Sequence, residues 1–288
     1  MKKFLGLFLT SLVLMASAQA KDLRFVQISD VRFLSSAEND GLKKVINDVN
    51  KQKRVEFAVF TGDNIDKPSQ EELEAFLKEA KKLNCPFYIV IGDRDVNKLK
   101  SMSKVEYTKI LRKQIKKYKP EKPNYTFEKN GVIFIVADGA KDVIPGTNGY
   151  YKEDVLAWLD TELAKYPENN VIILQHFPII PPAEKESYYT FKPENYLKVL
   201  AGHKNVKAII SGHFGVNNQK NFNGVEHIST AGVPYYRIID VMDSETTNPT
   251  IWAQLKKAEK KKLANTDKSC CYISCIISIF VCINLFKV

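Results

Sequence analysis

The stretch LRFVQISD, residues 23–30, is a short apolar run that stops on a carboxylate, and four later stretches repeat the design: FAVFTGD at 57–63, FYIVIGD at 87–93, VIILQH at 171–176 and VKAIISGH at 206–213. Short apolar runs bounded by Gly, Ser or Asp read as buried strands. Between the first three lie segments of helical period. Gly41 to Lys51 places Leu42, Val45, Ile46 and Val49 on one face, and Glu71 to Leu83 does the same with Leu73, Phe76, Leu77 and Ala80. Strand, helix, strand, helix implies an α/β fold with a parallel sheet. The ends of neighbouring strands then meet along one edge, so side chains just past those ends converge in one crevice. Asp30, Asp63, Asp93, His176 and His213 are expected there together. Carboxylate oxygen and neutral imidazole nitrogen are the usual ligands of divalent or trivalent transition metals, which points to a metal-dependent hydrolase or the relic of one.

The alternation continues beyond those runs. Lys104 to Lys117 reads as a third helix, and Tyr125 to Glu128 with Val132 to Ala137 read as strands joined through Asn130-Gly131, a hairpin signal. Lys152 to Lys165 is a helix turning Val155, Leu156, Trp158, Leu159 and Leu163 to the core. Val225 to Ser229, Val233 to Val241 and Thr250 to Leu255 read as strands, so the second half is expected to close a second sheet. A chain of 288 residues with 44% hydrophobic content can bury one large core, and a single catalytic domain is expected over residues 21–255.

The two ends are of different composition. Lys2 and Lys3, the apolar run Phe4 to Met15 and Ala18-Gln19-Ala20 make a secretory signal peptide over residues 1–20, cleaved after Ala20, which implies an exported protein, periplasmic or secreted. The formal charge of +10 falls to +8 once Lys2 and Lys3 leave. The lysines lie mainly in helical stretches with few aromatics between them, so nucleic-acid binding is not expected and a mild attraction of anionic substrates is. Cys85 is the one cysteine before the tail and reads as a small buried hydrophobe. After a Lys-rich linker at 256–268 comes an apolar tail, 269–288, with Cys270, Cys271, Cys275 and Cys282. Its apolar run is marginal for crossing a bilayer, and the flanking charges oppose the positive-inside pattern. Membrane association through the tail is therefore doubtful, its role stays open, and the domain is expected to fold without it.

The local sequence at the five strand ends is recognisable. Ser29-Asp30-Val31-Arg32, Thr61-Gly62-Asp63-Asn64-Ile65-Asp66, Ile91-Gly92-Asp93-Arg94-Asp95, Gln175-His176-Phe177-Pro178 and Ser211-Gly212-His213-Phe214-Gly215 resemble, in order and spacing, the blocks of the calcineurin-like metallophosphoesterases: D-x-H, G-D-x-x-D, G-N-H-D or G-N-H-E, an H near a Pro, and G-H-x-H. The resemblance covers roughly Leu23 to Val241. It implies two packed mixed β-sheets flanked by helices, a four-layer sandwich, and hydrolysis of phosphomonoesters or phosphodiesters by two metals that share a carboxylate. It also implies roles: Asp63 bridging, Asp93, His176 and His213 completing the second metal's ligands, and Asp30 on the first. Gly62, Gly92 and Gly212 precede ligands, where a residue without Cβ lets the backbone turn close to a metal or phosphate.

Three family histidines are replaced. The D-x-H position is Arg32, the third block carries Asp93-Arg94 in place of Asn-His, and the last histidine is Gly215. The first metal keeps only Asp30 and Asp63, so one ion of Mn, Fe or Zn is expected rather than two. Asp30, Asp63 and Asp93 carry three negative charges, which one divalent ion and Arg32 together balance. Arg32 then stands in for the missing metal. The rival reading pairs Arg32 with Asp30 and Asp93 and binds no metal. Arg94 cannot act as a general acid, since a guanidinium stays protonated, but it can clamp a phosphate. Arg32 and Arg94 are thus the catalytic and substrate-binding candidates beside the metal set.

Other residues have plainer readings. His203 and His227 are expected to be structural, Asp66 and Asp95 to be turn-forming or supporting carboxylates, and Tyr188, Tyr189 and Phe191 to wall the cleft or simply to pack their loop. Two function classes remain open. One is an exported phosphoesterase acting on a phosphorylated small molecule; the other is an inactive descendant that binds a phosphorylated ligand or partner on the same crevice.

Overall fold

The computed structural model describes residues 22–115, 120–242, 274–277 and 281–287. Its elements are β1 (Leu23–Ile28), α1 (Asp40–Val49), β2 (Phe57–Thr61), α2 (Gln70–Ala80), β3 (Phe87–Val90), α3 (Lys104–Gln114), β4 (Tyr125–Lys129), β5 (Val132–Val136), α4 (Glu153–Ala164), β6 (Val171–Leu174), α5 (Pro193–Ala201), β7 (Val206–Ser211), β8 (Asn218–Phe222), β9 (Val225–Ser229), β10 (Tyr235–Val241), β11 (Ser274–Ile277) and β12 (Val281–Lys287). They form two mixed sheets, ordered β11-β12-β10-β1-β2-β3 and β4-β5-β6-β7-β9-β8, with helices alongside. In the first sheet β1, β2 and β3 run parallel, and in the second β5, β6, β7 and β9 do. The five strand ends singled out in the sequence therefore point along common edges.

The helices form where their apolar period can be buried. Leu42, Val45, Ile46 and Val49 of α1 and Leu73, Phe76, Leu77 and Ala80 of α2 are buried, as their spacing predicts. Ser69 caps α2 and a Ser103/Glu106 capping box starts α3, satisfying backbone N–H groups that the first turn leaves without partners. Between the sheets Phe25 and Phe57 of the first meet Phe134 of the second edge-to-face at 5.4 and 5.2 Å, with Phe127 stacked on Phe134 at 5.0 Å. Such pairs each add about 0.5–1.5 kcal/mol beyond the area they bury. Nearer the strand ends the contact turns polar. Gln27 of β1 is fully buried, and its Nε2 donates to Thr61 Oγ1 at 3.0 Å and, across the sheets, to the Ser211 carbonyl at 2.8 Å. Thr230 donates to Gln27 Oε1 at 2.6 Å, so neither end of that amide is left unsatisfied.

The structure departs from the sequence reading in the last third. Val233 to Val241 does not join the second sheet: as β10 it returns to the first and lies antiparallel to β1. The second sheet is completed instead by β8, a polar edge strand whose sequence NQKNF has no apolar alternation and which turns into β9 through Asn223-Gly224, both at positive φ. That doublet is the same hairpin signal as Asn130-Gly131. A short helix, α5, adds to the elements expected from the sequence, and Pro193 at its first turn is its start signal. The tail, set apart from the domain by composition, pairs β12 along all of β10 and β11 with β12. The signal segment, the linker 256–268 and the expected strand Thr250 to Leu255 lie outside the described residues. Among the described residues no helix is long and apolar enough to cross a membrane.

Candidate metal centre

Each sheet supplies one kind of ligand. Asp30, Asp63 and Asp93 follow β1, β2 and β3 of the first sheet, and His176 and His213 follow β6 and β7 of the second. The loops that carry them touch so closely that side chains are excluded at key points. Gly62 sits at φ +92, and a Cβ there would lie 2.4 Å from Nδ1 of His176; a Cβ on Gly212 would lie 1.8 Å from Ser29 Oγ. These are close approaches that only glycine permits. Asp30, Arg32, Asp63 and His213 also adopt positive φ, at 47°, 48°, 51° and 72°. Backbone strain of this kind gathers at functional sites, where the surroundings over-determine it.

The ligand atoms converge in two overlapping groups, Asp93, His176 and His213, and Asp30, Asp63 and His176, each with all atoms within 4.8 Å of one another. Nδ1 of His176 lies 2.8 Å from the Thr61 carbonyl, an acceptor only, so the ring donates there and turns Nε2 to the carboxylates. That Nε2 is 3.4 Å from Asp63 Oδ1 and 3.3 Å from Asp93 Oδ1, and His213 Nδ1 is 3.2 Å from both Asp93 Oδ1 and His176 Nε2. Despite these distances Asp93 Oδ1 makes no hydrogen bond of good geometry. Two imidazole nitrogens and buried carboxylate oxygens converging on one point, with Asp93 Oδ1 left without a hydrogen-bond partner, are a donor set that fits a divalent cation.

Charge says the same. Burial raises Asp63 to about 8, with Asp93, Asp30 and Asp95 adding like charge and His176 opposing. Burial lowers His176, but Asp63, Asp93 and Asp30 outweigh it and lift the imidazole to about 10, while burial raises Asp93 but the two imidazoles outweigh it and hold that carboxyl well below the usual range. His213 is lowered, by burial first. The cluster demands positive charge between its carboxylates, which a metal ion supplies.

The other half of the centre meets that demand with arginine. Arg32 reaches Asp30 Oδ1 at 3.5 Å and Asp63 Oδ2 at 3.6 Å, and Arg94 reaches Asp63 Oδ2 at 3.6 Å and Asp66 Oδ1 at 2.8 Å. Arg32 thus pairs with Asp30, as the rival reading expected, but its second carboxylate is Asp63 in place of Asp93. Both guanidinium groups stay partly exposed, at 39% and 40%, so each presents N–H groups to the crevice. Gly215, in the position of the last family histidine, faces open space.

Supporting residues complete the picture. Asp95 is fully buried and accepts the backbone N–H groups of Gly92, Asn64 and Ile65 at 2.7, 2.8 and 3.0 Å, which folds the Asp63 and Asp93 loops together. Asp66 anchors Arg94. Tyr188 lies on the His213 ring at 4.5 Å, with Lys185 Nζ 3.3 Å from its own ring centroid, so it walls the centre, while Phe191 is exposed. His203 bonds Asp160 at 2.6 Å and His227 lies on β9, both away from the cluster. Sequence reasoning missed Ser29, whose hydroxyl donates to Asp30 Oδ2 at 2.6 Å, and the Thr61 carbonyl. Neither carries a local signal: the first is one serine among many, and the second is a backbone atom.

Known proteins share these features. The calcineurin-like phosphoesterase family model matches residues 23–217. A probable glycerophosphodiester phosphodiesterase of Arcobacter nitrofigilis is 25% identical over 169 residues, 53% of this chain and 56% of that protein. The manganese-dependent ADP-ribose/CDP-alcohol diphosphatase of Danio rerio is 32% identical over 89 residues, 30% of this chain and 28% of that one. The chain thus matches about half the length of the first relative and less of the second. Among solved structures, a dimetal phosphatase from Danio rerio superposes with a TM-score of 0.58 at 19% identity, covering 76% of this chain and 95% of that one. With the family model spanning all five ligand positions and the same two-sheet fold beneath them, the chain belongs to the calcineurin-like phosphoesterases.

Proposed function

We propose that the chain is an exported phosphoesterase that works with one metal ion and two arginines. Asp63, Asp93, His176 and His213 would hold the ion, and Arg32 neutralises the Asp30 and Asp63 carboxylates that a second ion serves in a two-metal site. The observation that carries this reading is the convergence of Asp93 Oδ1, His176 Nε2 and His213 Nδ1 within 3.2–3.3 Å. A bound ion supplies Lewis acidity and lowers the pKa of water. The chain's own residues do the rest. Arg32 and Arg94 present partly exposed guanidinium N–H groups on the crevice side of Asp63 and can grip phosphoryl oxygens in a forked geometry. Asp66 holds Arg94 in place at 2.8 Å. Tyr188 packs on the His213 ring at 4.5 Å and covers that side of it.

A guanidinium cannot give a proton to a departing alkoxide. Turnover is therefore expected to depend steeply on the leaving group, with aryl esters cleaved well and alkyl esters poorly. The names of the two relatives point to phosphodiesters and diphosphates as the small molecules to try, and manganese as a metal to try beside iron and zinc. The test is hydrolysis of aryl and alkyl phosphomonoesters and diesters with each metal, alongside the metal content of protein purified without chelator. About one ion per chain with aryl turnover supports the reading, and two tightly bound ions defeat the substitution by Arg32. One observation favours the second function class, a non-catalytic binder of phosphorylated ligands: the family's imidazole donor is Arg94, already committed to Asp66. Ligand binding without turnover on any ester would select it.

A further inference from the structure

Among the described residues the large hydrophobic side chains left exposed are Leu99, Val105, Val143, Ile144 and Phe191. Single exposed apolar residues need no explanation, but these are not scattered. Leu99 and Val105 stand on the segment from β3 into α3, and Val143 and Ile144 at the tip of the loop leaving β5, with Leu99, Val105 and Ile144 exposed at 73%, 77% and 77%. The Lys98 N–H donates to the Asp142 carbonyl at 2.6 Å and the Lys104 N–H to Asp142 Oδ2 at 3.3 Å, which fastens the two side by side. Phe191 joins from the next loop, its N–H on the Gly149 carbonyl at 2.7 Å. Exposed apolar residues gathered on three hydrogen-bonded loops mark an interaction surface.

Position and charge say what it meets. Its first loop leaves the centre at Asp93 and Arg94, and Phe191 follows Tyr188, which lies on His213, so the surface is the rim of the crevice. Lys98 and Lys100 flank Leu99, Lys141 precedes Val143, and among the described residues none of the three is in an ion pair. Asp138 pairs with Lys104, whereas Asp142 and Glu106 bond only uncharged donors, so residues 98–106 and 138–144 carry four lysines against three acids, a net charge of +1. The loop 183–192 adds no net charge, since Lys185 and Lys192 offset Glu184 and Glu186. Apolar tips interleaved with unpaired lysines complement a surface that is anionic outside and apolar within.

We propose that this rim docks the chain on an anionic lipid surface, with the metal centre facing the headgroups. The docking stands on the rim alone and is independent of turnover. The test is co-sedimentation of the full chain with phosphatidylcholine vesicles, with and without phosphatidylserine, at low and high salt. The expected result is binding to the phosphatidylserine vesicles that weakens with salt. Leu99→Glu with Ile144→Glu, and separately Lys98→Glu with Lys100→Glu, should each lower the partition by at least about tenfold, with thermal midpoint and aryl phosphatase activity in solution unchanged. Three results would overturn it: native protein that binds neither vesicle, double variants that sediment with vesicles as the native chain does, which would place binding in the apolar tail, or a native dimer that Leu99→Glu with Ile144→Glu dissociates while vesicle binding persists, which would make the rim a contact between copies.

Discussion

The two halves of the centre pose the same electrostatic problem and differ in what faces their carboxylates. Around Asp93, His176 and His213 one carboxylate oxygen and two imidazole nitrogens converge at 3.2–3.3 Å, and Asp93 Oδ1 is left without a hydrogen-bond partner. Around Asp30 and Asp63 the carboxylates face Arg32 and Arg94 at 3.5–3.6 Å, and the position of the missing histidine is an open-faced glycine. A metal ion is exchangeable and activates water, whereas a guanidinium is permanent and only binds. The difference teaches that where the family's histidines are replaced, at Arg32 and Arg94, a fixed cation faces the carboxylates, while the half that keeps both imidazoles offers a candidate metal set.

The contrast is broken most severely by His176→Ala. That substitution removes the one imidazole shared by both ligand groups and leaves Asp63 and Asp93 facing each other without it. Metal affinity is expected to fall by more than the 10–100-fold that loss of an outer partner costs, to near zero content by elemental analysis. A retained full equivalent would show that the ion sits elsewhere.

Restoring the family pattern attacks the other half. Arg32→His, Asp93→Asn, Arg94→His and Gly215→His together should admit a second ion and raise turnover of alkyl esters by about 100-fold, the lower range for general-acid help. Steady-state rates and metal content measure both. Nothing lies within 4 Å of a Cβ on Gly215, so a histidine has room, but φ of +68° there costs roughly 1–2 kcal/mol of stability. Single changes are expected to fail, because each leaves the site under-ligated or its charge unbalanced. A native enzyme with ordinary rates on alkyl esters that loses them on Arg94→His would make the arginines catalytic clamps in their own right.

A buried histidine outside both halves sharpens the comparison. His227 is lowered to about 4 by burial, with Lys220 adding repulsion, whereas carboxylates raise His176 to about 10. Its folded value lies below the unfolded 6.5, so its neutral form contributes stability above pH 6.5 that is lost as pH falls towards 4. His227→Leu should flatten that part of the stability profile by about 1–3 kcal/mol, read by denaturant unfolding at several pH values, and leave metal content unchanged. An unaltered profile would mean the imidazole is hydrated and unshifted.

The smallest effect on the centre is expected from removing the tail. Truncation before Ser269 deletes β11 and β12 and makes β10 an edge strand, while β1 still lies between β10 and β2. The truncated domain should fold and bind metal, with a thermal midpoint lower by roughly 2–8 °C. Loss of metal binding would show that β12 supports the Asp30 loop through β10 and β1.

Much of this was legible in the chain. The β2 and β7 boundaries fall where the apolar runs end, and α1 and α2 bury the residues their period selects. Both are local effects of burial repeating at 2 or 3.6 residues. The misreadings share a cause as well. β8 has no apolar face to betray it, and β10, YYRIIDV, carries the same mainly apolar character as strands of either sheet, so period alone could not say which sheet it joins.

By itself the sequence determined the candidate ligand types, their order and the arginines standing at family histidine positions, because these are identities at the ends of locally encoded strands. Only the tertiary structure decided which charges meet. The His213 N–H bonds Asp30 Oδ2 across 183 residues, Gln27 reaches Ser211 across 184, and Arg32 chooses Asp63 over Asp93. The same holds for the exposed apolar rim, which is drawn from three separate loops. Contacts at such separation depend on how two sheets pack and on the glycines that let their loops approach. No period within a segment carries that information.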